Sequence, residues 1–219
     1  DPGFYNRWQQ THLDIILRQD VLEAEAIKSI KQIETLTLML TERVASPLSY
    51  NALKEDLSTD DKSIKRWVDI LENSYVLFRV FPYTNRSFIH GIKKSPKIYF
   101  YDYCRVDNNA NRLENLVALS LMKEIYFRRD CKGEVFGLNY IRNKQGNEID
   151  FLITKKKKPH MLIEVKESDS EPSPNFKSFE KYVPGVQKVQ LVKNLERGFT
   201  NKEGISVLPM ASWLATMNF

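Results

Sequence analysis

The sequence has only two cysteines and three histidines in 219 residues. Cys104 and Cys131 form neither a CxxC pair nor a disulfide framework, which is typical of a reducing cytoplasm and predicts two buried free thiols. The histidines, His12, His90 and His160, lie too far apart in the sequence to indicate a zinc site. No GxSxG or HExxH pattern occurs, so the sequence carries no motif of a serine hydrolase or a zinc metalloprotease.

Glycine is also scarce, and none of the eight glycines belongs to a GxxxxGK[ST] phosphate-binding loop. We therefore expect no ATP hydrolysis by this chain itself. No apolar run approaches the length of a membrane span, and the start has no basic-then-apolar signal segment, so we expect a cytoplasmic protein without a membrane partner. The chain also lacks an initiator methionine, which suggests a part of a longer polypeptide.

The composition that remains is ordinary for a folded protein, with 42% hydrophobic and 28% charged residues. The length allows one large domain or two small ones. Thirty-three basic residues against 28 acidic ones give a net charge of +5 and a pI near 9.0. This excess favours an anionic partner only mildly.

The first half of the chain predicts a small helical domain followed by strands. Residues 1–20 carry too little apolar surface for a domain of their own and are expected to dock elsewhere. Apolar spacing predicts three helices and then two strands, at 21–43, 49–57, 60–73, 75–82 and 97–101. Ser58 and Thr59 are expected to provide the turn and the N-cap before the third helix. Three helices with such a tight second turn predict a winged helix-turn-helix.

Basic residues of this domain are candidates for contacts with DNA phosphates. Lys62, Lys65 and Arg66 would lie on the exposed face of the third helix, and Arg86 and Lys93 in the basic loop 83–94.

Acidic residues complicate this assignment. Asp60 and Asp61, at the start of the third helix, would repel a DNA backbone, although acids there also favour the helix dipole. DNA recognition and a structural or protein-binding role therefore both stay open.

The second half is organised around a β-hairpin. Alternating apolar residues at 148–154 and 160–166 flank a lysine-rich tip, and a turn centred on Lys157 would set Asp150 directly opposite Glu164. Opposed like charges are destabilising unless a cation lies between them, and a hard divalent ion such as Mg²⁺ binds carboxylates. Lys166 shares a face with Glu164 and could hold a phosphate or orient a water. The alternative is a solvated strand face with a Glu–Lys pair.

The four lysines of the tip would lie beside this site and could guide a phosphate backbone. A solvated hairpin end is the other interpretation, since charge runs usually face water.

The elements around the hairpin give the order α-β-β-β-α-β, and thus a mixed α/β fold class. The predicted helices and strands cover residues 113–127, 135–142, 148–154, 160–166, 175–182 and 186–192. A further strand at 204–209 and a helical turn at 212–214 would close the chain. Glu114 lies on the apolar stripe of the first of these helices, where a carboxylate needs a partner or an exit to solvent.

Asp150 followed by Glu164-Val165-Lys166 resembles the restriction-endonuclease-like PD-(D/E)xK nucleases, and the element order agrees with that fold. The resemblance implies Mg²⁺- or Mn²⁺-dependent hydrolysis of DNA, with Asp150, Glu164 and Lys166 as catalytic residues. It also implies that the metal is bound by Glu114, Asp150, Glu164 and the Val165 carbonyl. The competing hypothesis is a non-catalytic module of the same fold that binds DNA or protein.

Almost the whole chain also resembles the C-terminal region of prokaryotic AAA-type ATPases, in which a P-loop domain precedes a winged helix and a nuclease-like domain of unknown function. Six segments carry the resemblance: residues 17–21, 71–78, 94–102, 112–115, 148–151 and 163–166. It implies a tail of the ATPase region at 1–20, a winged helix at 21–103 and a restriction-endonuclease-like domain at 104–219. ATP would bind only in the ATPase domain, absent here, and the partners would be that domain, DNA or a second copy of the chain.

Overall fold

The chain is a mixed α/β protein, as the sequence predicts. The computed structural model describes residues 2–16, 27–84, 95–217 and 219. These form two compact units, one of residues 1–79 with 97–108 and the other of residues 80–96 with 109–219. None of the helices in the described ranges combines the length and the apolar character that a membrane span requires.

Among the described residues, the first unit contains four α-helices, two strands and a short 3-10 helix at Tyr103–Arg105. The α-helices and strands are α1 (Pro2–Ile16), α2 (Ile27–Thr41), α3 (Tyr50–Asp56), α4 (Asp61–Asn73), β1 (Leu77–Pro82), whose last residues belong to the second unit, and β2 (Lys97–Phe100). Strand β2 lies beside β1. The predicted start of the second helix, at Val21, lies outside the described residues.

Capping residues set the starts of α3 and α4. The Ser49 side chain accepts a hydrogen bond from the Ala52 N–H, and the Asp60 carboxylate accepts from the N–H groups of the second and third residues of α4. The N-cap of α4 is therefore Asp60 and not Ser58 or Thr59, so that part of the prediction is wrong. The predicted turn is present at Ser58, which has a left-handed backbone with φ 48°. The apolar stripe of α4 is buried as predicted.

Helix α1 packs within the first unit. The Tyr5 hydroxyl donates a hydrogen bond to Asp102 at 2.6 Å, and the Arg105 guanidinium donates to the Gln9 carbonyl at 2.8 Å. The described part of the N-terminal segment is thus attached by polar contacts to residues 97 and 96 positions away in the chain.

The second unit has the predicted order α-β-β-β-α-β, followed by two strands and a helix. Its elements are α5 (Asn109–Lys132), β3 (Phe136–Arg142), β4 (Glu148–Lys155), β5 (Lys158–Lys166), α6 (Asn175–Phe179), β6 (Gln187–Val192), β7 (Phe199–Thr200), β8 (Ile205–Pro209) and α7 (Met210–Ala215). Strand β7 was not predicted, and α6 is shorter than predicted.

The sheet of this unit runs in the order β1-β3-β4-β5-β6-β8-β7. The pairs β3–β4 and β4–β5 are antiparallel, whereas β5–β6 and β6–β8 are parallel. Strand β5 therefore has an antiparallel neighbour on one side and a parallel neighbour on the other. Its central residues are buried, and part of the core packs the sheet against α6 through Phe176 and Phe179.

Helix α5 extends past its predicted end at Phe127 because a charged residue continues its buried face. The Arg128 guanidinium donates to Glu124 at 2.7 Å and to Glu134 at 3.1 Å, and it lies over the rings of Phe136 and Phe219. Gly133, with φ 65°, then ends the helix. A pattern of apolar residues could not include this arginine.

Both cysteines are free thiols, as predicted. The prediction that they are buried is wrong, because Cys104 is half-buried and Cys131 is exposed. Cys131 lies in the last turn of α5, where the residues on either side of it are exposed as well.

Candidate functional site

The β4–β5 hairpin has a two-residue turn at Lys156 and Lys157, both with positive φ. This turn is tighter than the predicted five-residue tip, and its centre lies half a residue before Lys157. If the two strands kept the register that this turn sets, Asp150 would face Ile163 and not Glu164. The prediction of opposed carboxylates thus started from an incorrect turn.

A register shift in the hairpin restores the predicted pairing. Next to the turn, Lys155 pairs with Lys158, but beyond the shift Phe151 pairs with Ile163. One residue further along the same register, Asp150 faces Glu164. The two carboxylates therefore lie on neighbouring strands, close enough for the charge on Asp150 to act on Glu164.

Glu164 is a buried carboxylate with one satisfied oxygen. Its side chain is 4% exposed, and Oε1 lies 2.9 Å from the Lys166 ammonium. Oε2 is buried without a hydrogen-bond partner among the residues that the structure describes. Burial, followed by the negative charge of Asp150, raises the pKa of Glu164 to about 7, although Lys166 acts in the opposite direction. Glu164 therefore loses its proton near neutral pH rather than near pH 4.5.

Asp150 is held in position by the neighbouring strand. Its Oδ2 atom accepts a hydrogen bond of 2.9 Å from the Val165 N–H, the amide between Glu164 and Lys166. The side chain is half-buried at the end of a strand whose centre is apolar. This contact fixes one oxygen of Asp150 next to the Glu164–Lys166 pair.

Lys166 lies at the end of β5 with about a third of its side chain exposed. Burial alone would lower the pKa of Lys166, but attraction to Glu164, Asp150 and Asp169 outweighs burial and raises it. The ammonium therefore stays charged at neutral pH. A charged lysine beside two carboxylates suits the stabilisation of an anion better than the removal of a proton.

The carboxylate pair suits a hard divalent cation. Mg²⁺ and Mn²⁺ bind oxygen ligands, and Mg²⁺ typically uses one or two carboxylates together with waters and substrate phosphates. The buried Oε2 of Glu164 and the carboxylate of Asp150 could supply two such ligands. No group of three or more His, Cys, Asp or Glu side chains placed to bind a metal occurs in residues 2–16, 27–84, 95–217 and 219.

Glu114 is half-buried in α5, and the structure does not bring it into a metal-binding group with Asp150 and Glu164. Its role, like that of the Val165 carbonyl, stays a prediction. A metal held by the Asp150 and Glu164 side chains alone would complete its coordination with water or phosphate oxygens.

The predicted DNA contacts fall into two groups. Lys62, Lys65 and Arg66 are exposed on α4, as expected, whereas Arg86 and Lys93 lie outside the described residues. Asp60, at the start of α4, has a structural function as the N-cap.

The lysine-rich tip is remote from the carboxylates. Lys156 lies six residues from Asp150 along β4, which corresponds to about 20 Å at the rise of a β-strand. Lys155 is paired with Glu134 at 3.4 Å. The prediction that the tip lies beside the site is therefore wrong.

Gln190 is a residue near the site that the sequence analysis missed. It is fully buried in β6 and pairs with Glu164 in the parallel register. Its amide accepts from the Ser173 N–H at 2.8 Å and donates to the carbonyls of Asp169 and Glu171 at 3.0 and 2.8 Å. Gln190 thus holds the loop that follows Lys166. A glutamine within the buried run 189–192, which is otherwise apolar, was the available signal.

The chain is similar to two domain families, each over slightly less than half of its length. Residues 2–104 match a domain of unknown function, DUF8612, and residues 111–213 match a second domain of unknown function, DUF4143. The matched ranges follow each other along the chain with six residues between them.

Two relatives extend the comparison. An uncharacterized protein of Methanocaldococcus jannaschii is 24% identical over 94% of this chain and 49% of its own length. An uncharacterized protein of Haemophilus influenzae is 26% identical over 52% of this chain and 31% of its own length. The chain thus spans about half of one relative and about a third of the other. The search of solved structures found no match.

Proposed function

We propose that the second unit hydrolyses phosphodiester bonds of DNA with the help of Mg²⁺ or Mn²⁺. The observation that carries this proposal is the buried Oε2 of Glu164, which has no hydrogen-bond partner within the described residues although Asp150 and Lys166 lie next to it. Leaving a carboxylate oxygen buried and unsatisfied costs free energy, and a divalent cation would recover that cost.

Each residue has a distinct role in this proposal. Asp150 and Glu164 would bind the metal, with the Val165 carbonyl and Glu114 as further predicted ligands. A divalent ion bound there supplies an activated water and neutralises charge on the phosphate. Lys166, charged at neutral pH, stabilises the negative charge that develops on the phosphate oxygens. The Val165 N–H holds the Asp150 carboxylate in the orientation that this arrangement needs.

A second candidate function is a non-catalytic module that binds DNA or protein. The ion pair between Lys166 and Glu164 favours it, because a lysine at 2.9 Å already compensates much of one carboxylate. Under this alternative the pair is a structural element of the sheet. No divalent ion would then be required.

The wider context is also proposed. The resemblance to AAA-type ATPases suggests that this chain is the C-terminal part of such an enzyme, with a winged helix followed by a restriction-endonuclease-like domain. Relatives about twice its length are compatible with an additional domain. ATP would then bind in that domain, which would regulate or move the nuclease unit in the cytoplasm, alone or as a homo-oligomer.

A cleavage assay on the full-length polypeptide tests the proposed reaction. We expect cutting of plasmid or single-stranded DNA in Mg²⁺ or Mn²⁺ with ATP present, and none after the metal is chelated. Protein that leaves both substrates intact under all these conditions excludes the nuclease and favours the non-catalytic module.

The exposed basic face of α4 gives a separate prediction about DNA binding. Replacing Lys65→Glu together with Arg66→Glu should weaken DNA binding and reduce its salt dependence, because up to about two phosphate contacts are lost. The measurement is a titration of DNA at several salt concentrations. Lys31→Glu with Lys123→Glu, on two other helices, changes the net charge equally and serves as the control. Equal affinities for the two double variants would assign α4 to protein contacts instead.

A further inference from the structure

The first unit contains a cavity of about 340 Å³ that the proposed nuclease chemistry does not use. Its size lies within the range of small-molecule pockets. Aromatic rings form most of its lining, together with one acid and one base. The lining residues are Tyr5, Trp8, His12, Ile16, Tyr75, Val76, Tyr101, Asp102 and Arg105.

One wall of the cavity is a ladder of rings on α1. The Tyr5 and Trp8 rings are stacked at 5.9 Å with 28° between their planes, and Trp8 and His12 at 4.6 Å with 15°. Near-parallel rings at these distances favour the stacking of another flat ring. On the other wall, Tyr75 and Tyr101 contact each other edge to face at 5.6 Å.

The cavity also has polar groups of both signs. Arg105 lies 3.1 Å from Asp102 in an ion pair, and the Tyr5 hydroxyl donates to the same carboxylate. Burial, together with the hydrogen bonds to Asp102 and Cys104, raises the pKa of Tyr5, so this hydroxyl remains a neutral donor. Because the acid and the base balance each other, the site does not select a bare cation or anion. Gln9 joins the same network, since its amide donates to Asp102 at 3.3 Å and its backbone carbonyl accepts from Arg105 at 2.8 Å, so the edge of a flat polar ring would share these hydrogen bonds.

Tyr75 is an unusual residue for its backbone position. It follows the C-cap Ser74 of α4 with φ 56°, and its N–H and that of Val76 bond back to carbonyls of the last turn. Glycine is the usual residue at this position, since a side chain is strained there. The tyrosine is also 71% exposed, so burial compensates little of that strain. The tyrosine therefore keeps its ring at the mouth of the cavity, against Tyr101, at the cost of this backbone strain.

We propose that this cavity binds a nucleobase of a single-stranded nucleic acid, which stacks on the exposed ring of Tyr75, packs against the Tyr5–Trp8–His12 ladder and hydrogen-bonds to Asp102 and Arg105. Flat heteroaromatic rings with donors and acceptors on their edges match both features of the site. The exposed Arg7, next to Trp8, adds a positive charge for the backbone phosphate. The site belongs to the first unit and does not depend on the nuclease proposal.

The test uses the intact chain and two probes, a fluorescently labelled single-stranded oligonucleotide and a free nucleoside monophosphate. Tyr75→Gly should weaken oligonucleotide binding by roughly tenfold, because stacking on one aromatic side chain is lost, while the melting temperature stays equal or rises. Trp8→Leu should weaken it similarly and keeps an apolar side chain in α1. The control is Phe4→Ala, since Phe4 is exposed on α1 and is not among the described residues that line the cavity.

The two probes distinguish a base that belongs to a nucleic-acid strand from one that belongs to a free nucleotide. Weakened binding of both probes supports the proposal with the free nucleotide as a ligand, and weakened binding of the oligonucleotide alone supports it with the strand as the ligand. If Tyr75→Gly and Trp8→Leu bind the oligonucleotide as well as Phe4→Ala does, the proposal is overturned. The cavity would then be left to another occupant, such as an aromatic side chain of a protein.

Discussion

Lys166→Ala is expected to lower the rate of divalent-ion-dependent DNA cleavage by about 10²- to 10³-fold, the range found when one preorganised electrostatic donor is removed from an active site. The reason is that the neighbouring carboxylates keep the Lys166 ammonium charged, so it can stabilise the charge that develops on the phosphate. DNA affinity should change little, because a single partly buried lysine contributes a small share of the phosphate contacts. Single-turnover cleavage and a separate DNA titration measure the two effects.

Two variants make this result specific. Lys193→Ala removes another lysine at the end of a neighbouring strand, where it pairs with Glu167 at 3.3 Å, and should leave cleavage unchanged. Lys166→Arg keeps the charge and should retain part of the activity. If Lys166→Ala cuts DNA at the rate of the unchanged protein, the role assigned to Lys166 is wrong even if the nuclease itself is real.

The elements that sequence analysis predicted well are those with a strong periodic pattern. The stripe Ile64, Trp67, Val68 and Leu71 alternates with charge along α4, and all four residues are buried. The strands of the central hairpin alternate in the same clear way. Strand β7 was missed because it consists of only two residues, both exposed, so no period can be detected. The end of α5 was missed for the opposite reason. Arg128 is buried although it is charged, so it does not fit a pattern of buried apolar residues.

The predicted pairing of Asp150 with Glu164 occurs in the structure, but the feature that produces it cannot be predicted from the sequence. Asp150 and Glu164 face each other only because a register shift near Thr154 compensates for the short turn at Lys156. No residue at the shift signals it, since a shift of this kind depends on how both strands pack. The lysine tip was misplaced for a separate reason, because the extended strand β4 sets it about 20 Å from Asp150 whatever the turn.

Long-range polar contacts were beyond sequence analysis altogether. Gln190 reaches Ser173 across 17 residues, and Tyr5 reaches Asp102 across 97. Such bonds have no spacing rule, because each is formed after the elements have packed. Residues that seem unremarkable in a sequence can therefore hold a loop or line a cavity.

The ionisation of Glu164 gives the second large effect, a change in stability with pH. The pKa of a glutamate is about 4.5 in the unfolded chain and about 7 in the folded site. Between these values the folded state holds more protons than the unfolded state, so the free energy of unfolding falls as the pH rises through this window. The fall can reach about 3 kcal/mol between pH 4.5 and 7, at about 1.4 kcal/mol per unit of pKa, and it levels off at higher pH.

Glu164→Gln removes this titration. We expect the free energy of unfolding of the variant, relative to the unchanged protein, to rise between pH 5 and pH 8 in metal-free buffer, as measured by urea denaturation at each pH. Titrating groups that do not interact with Glu164 cancel in this comparison. A difference that stays constant over that range would mean that Glu164 does not hold a charge that burial disfavours.

Added divalent metal should reverse the fall in the free energy of unfolding at high pH. This effect connects the buried charge of Glu164 to the proposed function. A divalent ion at 100 times its Kd stabilises the folded state by about 2.7 kcal/mol, and the effect should be largest at pH 8, where Glu164 is ionised. Asp150→Asn and Glu164→Gln should both abolish it. Glu148→Gln changes another carboxylate of β4, which pairs with Arg142 at 3.3 Å, and should keep the stabilisation by metal. If adding Mg²⁺ or Mn²⁺ at pH 8 raises the free energy of unfolding of the unchanged protein no more than that of Glu164→Gln, the carboxylates do not form a metal site, and the ion pair with Lys166 is their structural purpose.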